Sequence, residues 1–204
     1  MAAPARALSG DMDISEFLRF VRPRPKEENW QLVEGVAVMM NPPRLVHQMI
    51  SANLRDLLNR GFEQSGHDLV ALQEIGVRVR SVANFLPRPD VAVISGIAGD
   101  ELYADSFRLV AEVLSPSNTR GLIVQKLRRY QQHPENLYCL VIDSRRVWLQ
   151  VHARRNGWQS VTLEQSAATL DLPELGLHCA LGDLYRRTPL DPRRPGPKQR
   201  RRSR

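Results

Sequence analysis

No apolar run in this chain approaches the ~20 residues that a membrane span needs. No charged n-region followed by a long apolar segment opens it, so no secretory signal is read. Cysteine is scarce: Cys139 and Cys179 are the only two, and their spacing is not that of a metal site. That excludes a disulfide scaffold and points to reduced, buried thiols in a cytoplasmic protein. A Gly-rich phosphate loop, a Gly-x-Ser-x-Gly nucleophile elbow, a zinc-like Cys/His cluster and internal repeats are all missing.

What is present is a chain of 204 residues with 42% apolar content, enough for one domain with a sizeable core. The net charge of +7 is unevenly spread. Residues 186–204 hold nine of the 29 Lys and Arg residues and one of the 22 acids, a net +8, which leaves the other 185 residues at −1. This tail has four prolines and almost no apolar residues, a composition that cannot bury enough surface to fold. Arg193, Arg194, Lys198, Arg200, Arg201, Arg202 and Arg204 are therefore either a solvated appendage or a sequence-blind grip on nucleic-acid phosphates. The expected organisation is a flexible leader over 1–12, a domain over 13–185 and a basic disordered tail over 186–204.

Within the domain, Asp13 to Phe20 reads as a short helix with Asp13 or Ser15 as cap, and Trp30 to Met40 as two strands turning at Glu34-Gly35. Val46, Ile50, Leu54, Leu57, Leu58 and Phe62 recur at three or four and predict a helix from about 44 to 63. Val70 to Val79 reads as extended. A polar loop from Gly96 to Asp105 follows the next strand. Leu137 to Ile142 is a central strand, Val147 to Val151 an outer one with Trp158 to Leu163 as its hairpin partner, and Ala180 to Tyr185 a closing helix. The fold class is α/β, a mixed sheet flanked by helices.

Two carboxylates sit where carboxylates are costly. Asp90 follows Pro89 and leads into Val91-Ala92-Val93-Ile94, and Glu112 interrupts Leu109-Val110-Ala111 and Val113-Leu114. An unpaired charge in an apolar strand costs several kcal/mol, so each must be paired, hydrogen-bonded or metal-bound. Lys126 follows on a helix that starts after Ser115-Pro116-Ser117-Asn118, with Tyr130 one turn on. Two strand carboxylates and a helix lysine can hold a divalent cation and steady an anionic transition state, the chemistry of phosphodiester hydrolysis. The plainer alternative pairs Glu112 with an arginine, opens a strand with Asp90 and leaves Lys126 solvated.

In this order the residues resemble the Uma2 family, a branch of the PD-(D/E)XK nuclease superfamily with the restriction endonuclease-like fold. The matching segments are Trp30-Gln31-Leu32-Val33-Glu34-Gly35-Val36, Pro42-Pro43-Arg44-Leu45-Val46-His47-Gln48, Pro89-Asp90-Val91, Glu112-Val113-Leu114-Ser115-Pro116-Ser117, Lys126 with Tyr130, and Val141-Ile142-Asp143. The resemblance covers roughly residues 13–185. It implies a metal-dependent endonuclease acting on nucleic acid, DNA in the first instance, and is compatible with a homodimer. It also implies that Asp90 and Glu112, with the Val113 carbonyl, bind Mg2+ or Mn2+, and that Lys126 takes the role of the superfamily lysine. That lysine ordinarily lies two residues after the glutamate, where this chain has Leu114.

Two departures concern the hairpin. Gln31 stands where the family has a glutamate, and Val36 replaces the glutamate after the glycine; Glu34 takes the family's aspartate position. These losses favour a rival reading, a catalytically weak nuclease fold that binds nucleic acid. A second rival is a hydrolase of small phosphodiesters. Gln31, Glu34, His47 and Tyr130 are accessory candidates. His47 either contacts phosphate or assists proton transfer, or is a structural histidine near a helix start; Glu34 is by default a solvated turn residue. Trp148 and Trp158 either stack on bases or are buried in the sheet or at a dimer surface.

Overall fold

Side-chain alternation along the strands sorts the core onto two faces of one sheet. The computed structural model describes residues 7–8, 10–25, 27–96, 99–115 and 120–194. The first strand, β1 (Ala7–Leu8), is followed by helix α1 (Ile14–Val21), the hairpin β2 (Trp30–Val33) and β3 (Val36–Met39), and the long helix α2 (Leu45–Ser65). Then come β4 (Leu69–Gln73), β5 (Gly76–Val77), β6 (Val91–Ser95), β7 (Tyr103–Ala104) and β8 (Leu109–Leu114). Helix α3 (Arg120–Tyr130), β9 (Tyr138–Asp143), β10 (Leu149–Ala153), β11 (Ser160–Leu163), β12 (Thr169–Leu172) and β13 (Leu177–Ala180) complete the order.

The main sheet is six-stranded in the order β11-β10-β9-β8-β6-β4. Its central pair β8–β9 is parallel, with Glu112 opposite Val141, and its other pairs are antiparallel. Leu109, Ala111 and Val113 of β8 face α2, where Ile50, Leu54, Leu58 and Phe62 bury their stripe. Val110 of β8, with Ala92, Cys139 and Val141, faces the other way, against Ile123, Leu127 and Tyr130 of α3. Period two therefore puts Glu112 on the α3 face. A smaller sheet, β1-β3-β2, packs with α1 around Phe17, Trp30, Leu32 and Leu86, and an isolated bridge between Leu32 and Leu86 ties it to the segment before Asp90.

The helices follow local chemistry. Asp13 caps α1 by accepting from the Glu16 N–H at 2.8 Å, and Glu16 returns the bond to the Asp13 N–H. α2 ends at Gly66, whose φ of +70° is the left-handed cap that glycine adopts without strain. On the sheet edge, Asn59 of α2 stands in for a missing strand. Its Nδ2 donates to the Ala71 carbonyl at 3.1 Å and its Oδ1 accepts the Ala71 N–H at 2.7 Å.

Several expectations need correction. The polar loop from Gly96 to Asp105 contains β7, which pairs in parallel with β5. β10 is an inner strand and β11 the edge, because the two form a hairpin beyond β9. The closing helix is a 3-10 turn over Leu181–Tyr185. The β12–β13 hairpin was not anticipated; its buried positions are single leucines in short polar segments, too sparse to read as strands. The start of the tail rests on the domain, with Thr188 buried and the Asn53 side chain bonded to the Arg186 carbonyl at 2.9 Å. Lys198, Arg200, Arg201, Arg202 and Arg204, and the Pro116-Ser117-Asn118 helix start, lie outside the described residues.

Asn59→Ala should cost about 1–3 kcal/mol, because it strips partners from two backbone groups at the sheet edge. Thermal unfolding should show a Tm lower by roughly 2–4 °C per kcal/mol. An unchanged Tm would mean that water satisfies the edge equally well.

Candidate active site

Asp90 lies at the start of β6 and is only 7% exposed. Its Oδ2 accepts the Val113 N–H at 2.6 Å and meets His47 Nε2 at 3.3 Å. The next strand thus presents its backbone to Asp90, and the first turn of α2 presents a ring. Burial works against protonation of His47, but the Asp90 carboxylate and the Val113 backbone outweigh it, so the imidazole pKa is raised above its usual 6.5. His47 Nδ1 is buried without a hydrogen-bond partner.

Glu112 is 3% exposed and Lys126 2%. Lys126 Nζ lies 2.6 Å from Glu112 Oε1, and the Tyr130 hydroxyl donates to the same oxygen at 2.7 Å. Spacing of four on α3 brings the lysine and tyrosine to one carboxylate. Burial pushes the Glu112 carboxyl up; Lys126 pulls it down, and the charge of Asp90 pushes it up again. Burial and Glu112 hold Tyr130 well above its ordinary value, so it stays a hydroxyl donor. Glu112 therefore pairs with Lys126 rather than an arginine, and the lysine is buried rather than solvated.

Of these groups His47, Asp90, Glu112 and Lys126 line a cavity of about 550 Å³, and Tyr130 does not. Among the described residues five acids line it, Glu27, Glu28, Glu74, Asp90 and Glu112, against the fixed cations Arg44 and Lys126. Glu74 was not singled out from the sequence, where it looks like one more residue of an extended segment. It accepts from Gln48 Nε2 at 2.7 Å and has φ +54°, an unusual backbone for a non-glycine residue. An acid just past a strand end and before Gly76 was the available signal.

The accessory candidates separate. Gln31 is buried and lines the cavity, its Oε1 accepting the Arg88 N–H at 3.5 Å. Glu34 is not among the lining residues; it forms a two-pronged ion pair with Arg129 of α3, both bonds 2.6 Å, in a turn with φ +50°. It is not the solvated turn carboxylate expected, and it does not replace the charge missing at Gln31. Val36 is not a lining residue either. Arg193 is held by Asp183 at 3.1 Å and Asp191 at 3.2 Å, and the Arg194 N–H bonds the Asp191 carbonyl.

The Uma2 family model, described as "putative restriction endonuclease", matches residues 14–182. The chain belongs to the Uma2 family. Its fold is similar to a crystal structure titled a putative nuclease belonging to DUF820 from Anabaena variabilis, with a TM-score of 0.70 at 17% identity, covering 85% of this chain and 97% of that one. Curated proteins yield no match. Among the described residues no helix is long and apolar enough to cross a membrane.

Two outcomes follow from this geometry. Lys126→Met should destabilise the fold by about 3–5 kcal/mol, because it strands a buried carboxylate, and adding Glu112→Leu should recover most of the loss. Denaturant unfolding of the single and double variants reads this directly; equal stability of Lys126→Met and wild type would contradict the pairing. The stability contributed by His47 and Asp90 should be complete below the unfolded histidine value of about 6.5 and fade as pH rises through the raised folded value. NMR titration of the imidazole should report that raised value in wild type and a lower one in Asp90→Asn.

Proposed function

We propose that this Uma2 protein is a divalent-cation-dependent endonuclease that hydrolyses phosphodiester bonds in DNA. In this reading residues 13–185 are the nuclease domain, and Asp90, Glu112 and the Val113 carbonyl hold Mg2+ or Mn2+. The observation that carries it is the buried pair Asp90 and Glu112 in a cavity whose border is acid-rich. Such a wall repels a bare phosphate and suits a cation.

The donor set agrees. Among the described residues no three His, Cys, Asp or Glu side chains converge as a metal cluster. That excludes a closed all-side-chain cage but suits Mg2+, which is commonly held by one or two carboxylates and keeps several waters. Asp90 and Glu112, each held by its neighbours through one carboxylate oxygen, would with the Val113 carbonyl be the residues that hold the cation. A bound cation would acidify a water and neutralise phosphate charge.

The remaining roles belong to the chain. Lys126, fixed by Glu112, offers a positive charge to the developing negative charge on phosphate. Tyr130 fixes Glu112, and His47 with the Val113 N–H fixes Asp90. Cys139 and Cys179 are free, consistent with the cytoplasmic placement proposed here. The cationic residues of 186–204 would add sequence-blind affinity for phosphates. A second reading, a nucleic-acid-binding module with weakened catalysis, is favoured by one observation: the family glutamate is replaced by Gln31 on the cavity wall itself.

Calorimetry with Mn2+ should show binding that Asp90→Asn and Glu112→Gln each weaken by at least roughly 10–100-fold, the range seen even for residues that only orient ligands. Plasmid DNA should be cut only with Mg2+ or Mn2+ and not by Asp90→Ala. Metal binding without cleavage would select the binding-module reading. Unchanged Mn2+ binding in both variants would overturn the site.

A further inference from the structure

A second concavity, a groove of about 710 Å³, lies beside the acidic cavity. Ser115 lines both, just past the C-terminal end of β8. The chemistry reverses across that residue. Among the described residues Asp143 is the one acidic lining residue of the groove, against Arg120, Arg128, Arg145 and Arg146.

Asp143 is also occupied: its Oδ1 accepts the Arg145 N–H at 2.8 Å and its Oδ2 faces Arg146 Nε at 3.2 Å. It therefore holds the β9–β10 turn that presents both arginines. The side chains of Arg120, Arg128 and Arg145 are exposed and have no carboxylate partner among the described residues. Arg19, Arg22, Arg44 and Arg60 are also exposed with no carboxylate partner among the described residues, but the groove brings three such arginines to one surface. The groove thus concentrates uncompensated positive charge next to the site.

Its floor is aromatic. Trp148 and Trp158 are half-buried lining residues, the first under the Arg146 guanidinium at 5.3 Å. Trp158 has φ +67°. A bulky side chain in the left-handed region is strained by about 1–3 kcal/mol, a cost that concentrates at functional positions. Guanidinium groups over indole rings match a strand whose phosphates meet arginine and whose bases meet rings.

We infer that this groove binds a single-stranded stretch of nucleic acid leading away from the phosphate held at Asp90 and Glu112. The inference rests on the endonuclease reading for the position of that phosphate, but binding itself needs neither metal nor cleavage.

The test is fluorescence anisotropy with labelled oligothymidylate and a duplex of the same length, in EDTA, over a salt series. The combined variant Arg120→Ala, Arg128→Ala, Arg145→Ala should raise the single-strand Kd by about tenfold or more and flatten the salt slope by roughly 0.7 per lost contact. Its Tm should match wild type, since none of the three side chains has an ion-pair or hydrogen-bond partner among the described residues. Unlabelled oligothymidylate should quench tryptophan fluorescence in wild type, and less in Trp148→Phe with Trp158→Phe. An unchanged Kd and salt slope in the arginine variant overturns the inference, and so does an equal loss for duplex and single strand. Asp90→Asn run alongside separates the two readings. It should not cut, while the three arginine substitutions made on it should still weaken single-strand binding in EDTA. If wild type cuts no DNA but loses binding with the arginines, the groove stands and the endonuclease reading falls. If wild type cuts and the arginines prove silent, the reverse holds.

Discussion

The buried ion pair between Glu112 and Lys126 is the constraint around which this molecule is arranged. A carboxylate at the middle of a sheet face must find a compensating charge, or several kcal/mol of desolvation go unmet. Lys126 supplies it from α3, and Tyr130 adds a hydroxyl to the same oxygen. Tyr130 is in turn wedged edge-on against Phe85 and Phe107, with ring centroids 5.4 and 6.2 Å away. The angle and height of α3 over the sheet are thereby tied to one charge. Glu34 and Arg129 add a second clamp, from the hairpin turn to the same helix. α3 is pinned along its length by charge as well as by apolar packing.

That pinning separates two surfaces of opposite sign. On one side of α3 lies the acid-bordered cavity containing Asp90 and Glu112, and on the other the groove with Arg120, Arg128 and Arg145, which have no carboxylate partner among the described residues. A near-neutral domain charge conceals this division, because the acids and bases cancel in the sum but not in space. An anionic polymer crossing from one to the other at Ser115 would meet the acid-rich wall proposed to hold a cation and then a cationic groove. This complementarity is a stronger argument for a nucleic-acid substrate than the net charge of the chain, all of which belongs to residues 186–204.

The parts of the site that were legible in the sequence were those with a local cost. Asp90 after a proline and Glu112 within an apolar strand were conspicuous because charges there need a reason, and the segment from Glu112 to Ser117 carried the family resemblance. Glu74 was not conspicuous: an acid after a short strand costs nothing until the fold brings it to the cavity beside Gln48. Glu34 looked like a solvated turn residue because its partner, Arg129, is 95 positions away. The plainer alternative for Lys126, a solvated helix residue, failed for a similar reason. Helical spacing says which residues share a face, but not which face the sheet will cover.

Local patterning determined the elements. Periods of two and of three to four set the strands and helices, Asp13 and Gly66 set helix ends, and period two along β8 put Glu112 on the face opposite Leu109, Ala111 and Val113. Composition separated a near-neutral domain from a basic tail. Only tertiary structure decided the strand order, with β10 inside and β11 at the edge, because either order satisfies the same alternation. Only it turned Asn59 into a surrogate strand, and only it brought His47 to Asp90. Only it gathered Arg120, Arg128 and Arg145, from a helix and a strand turn, into one groove. Those arrangements depend on contacts between residues far apart in the chain, whose energies no local pattern records.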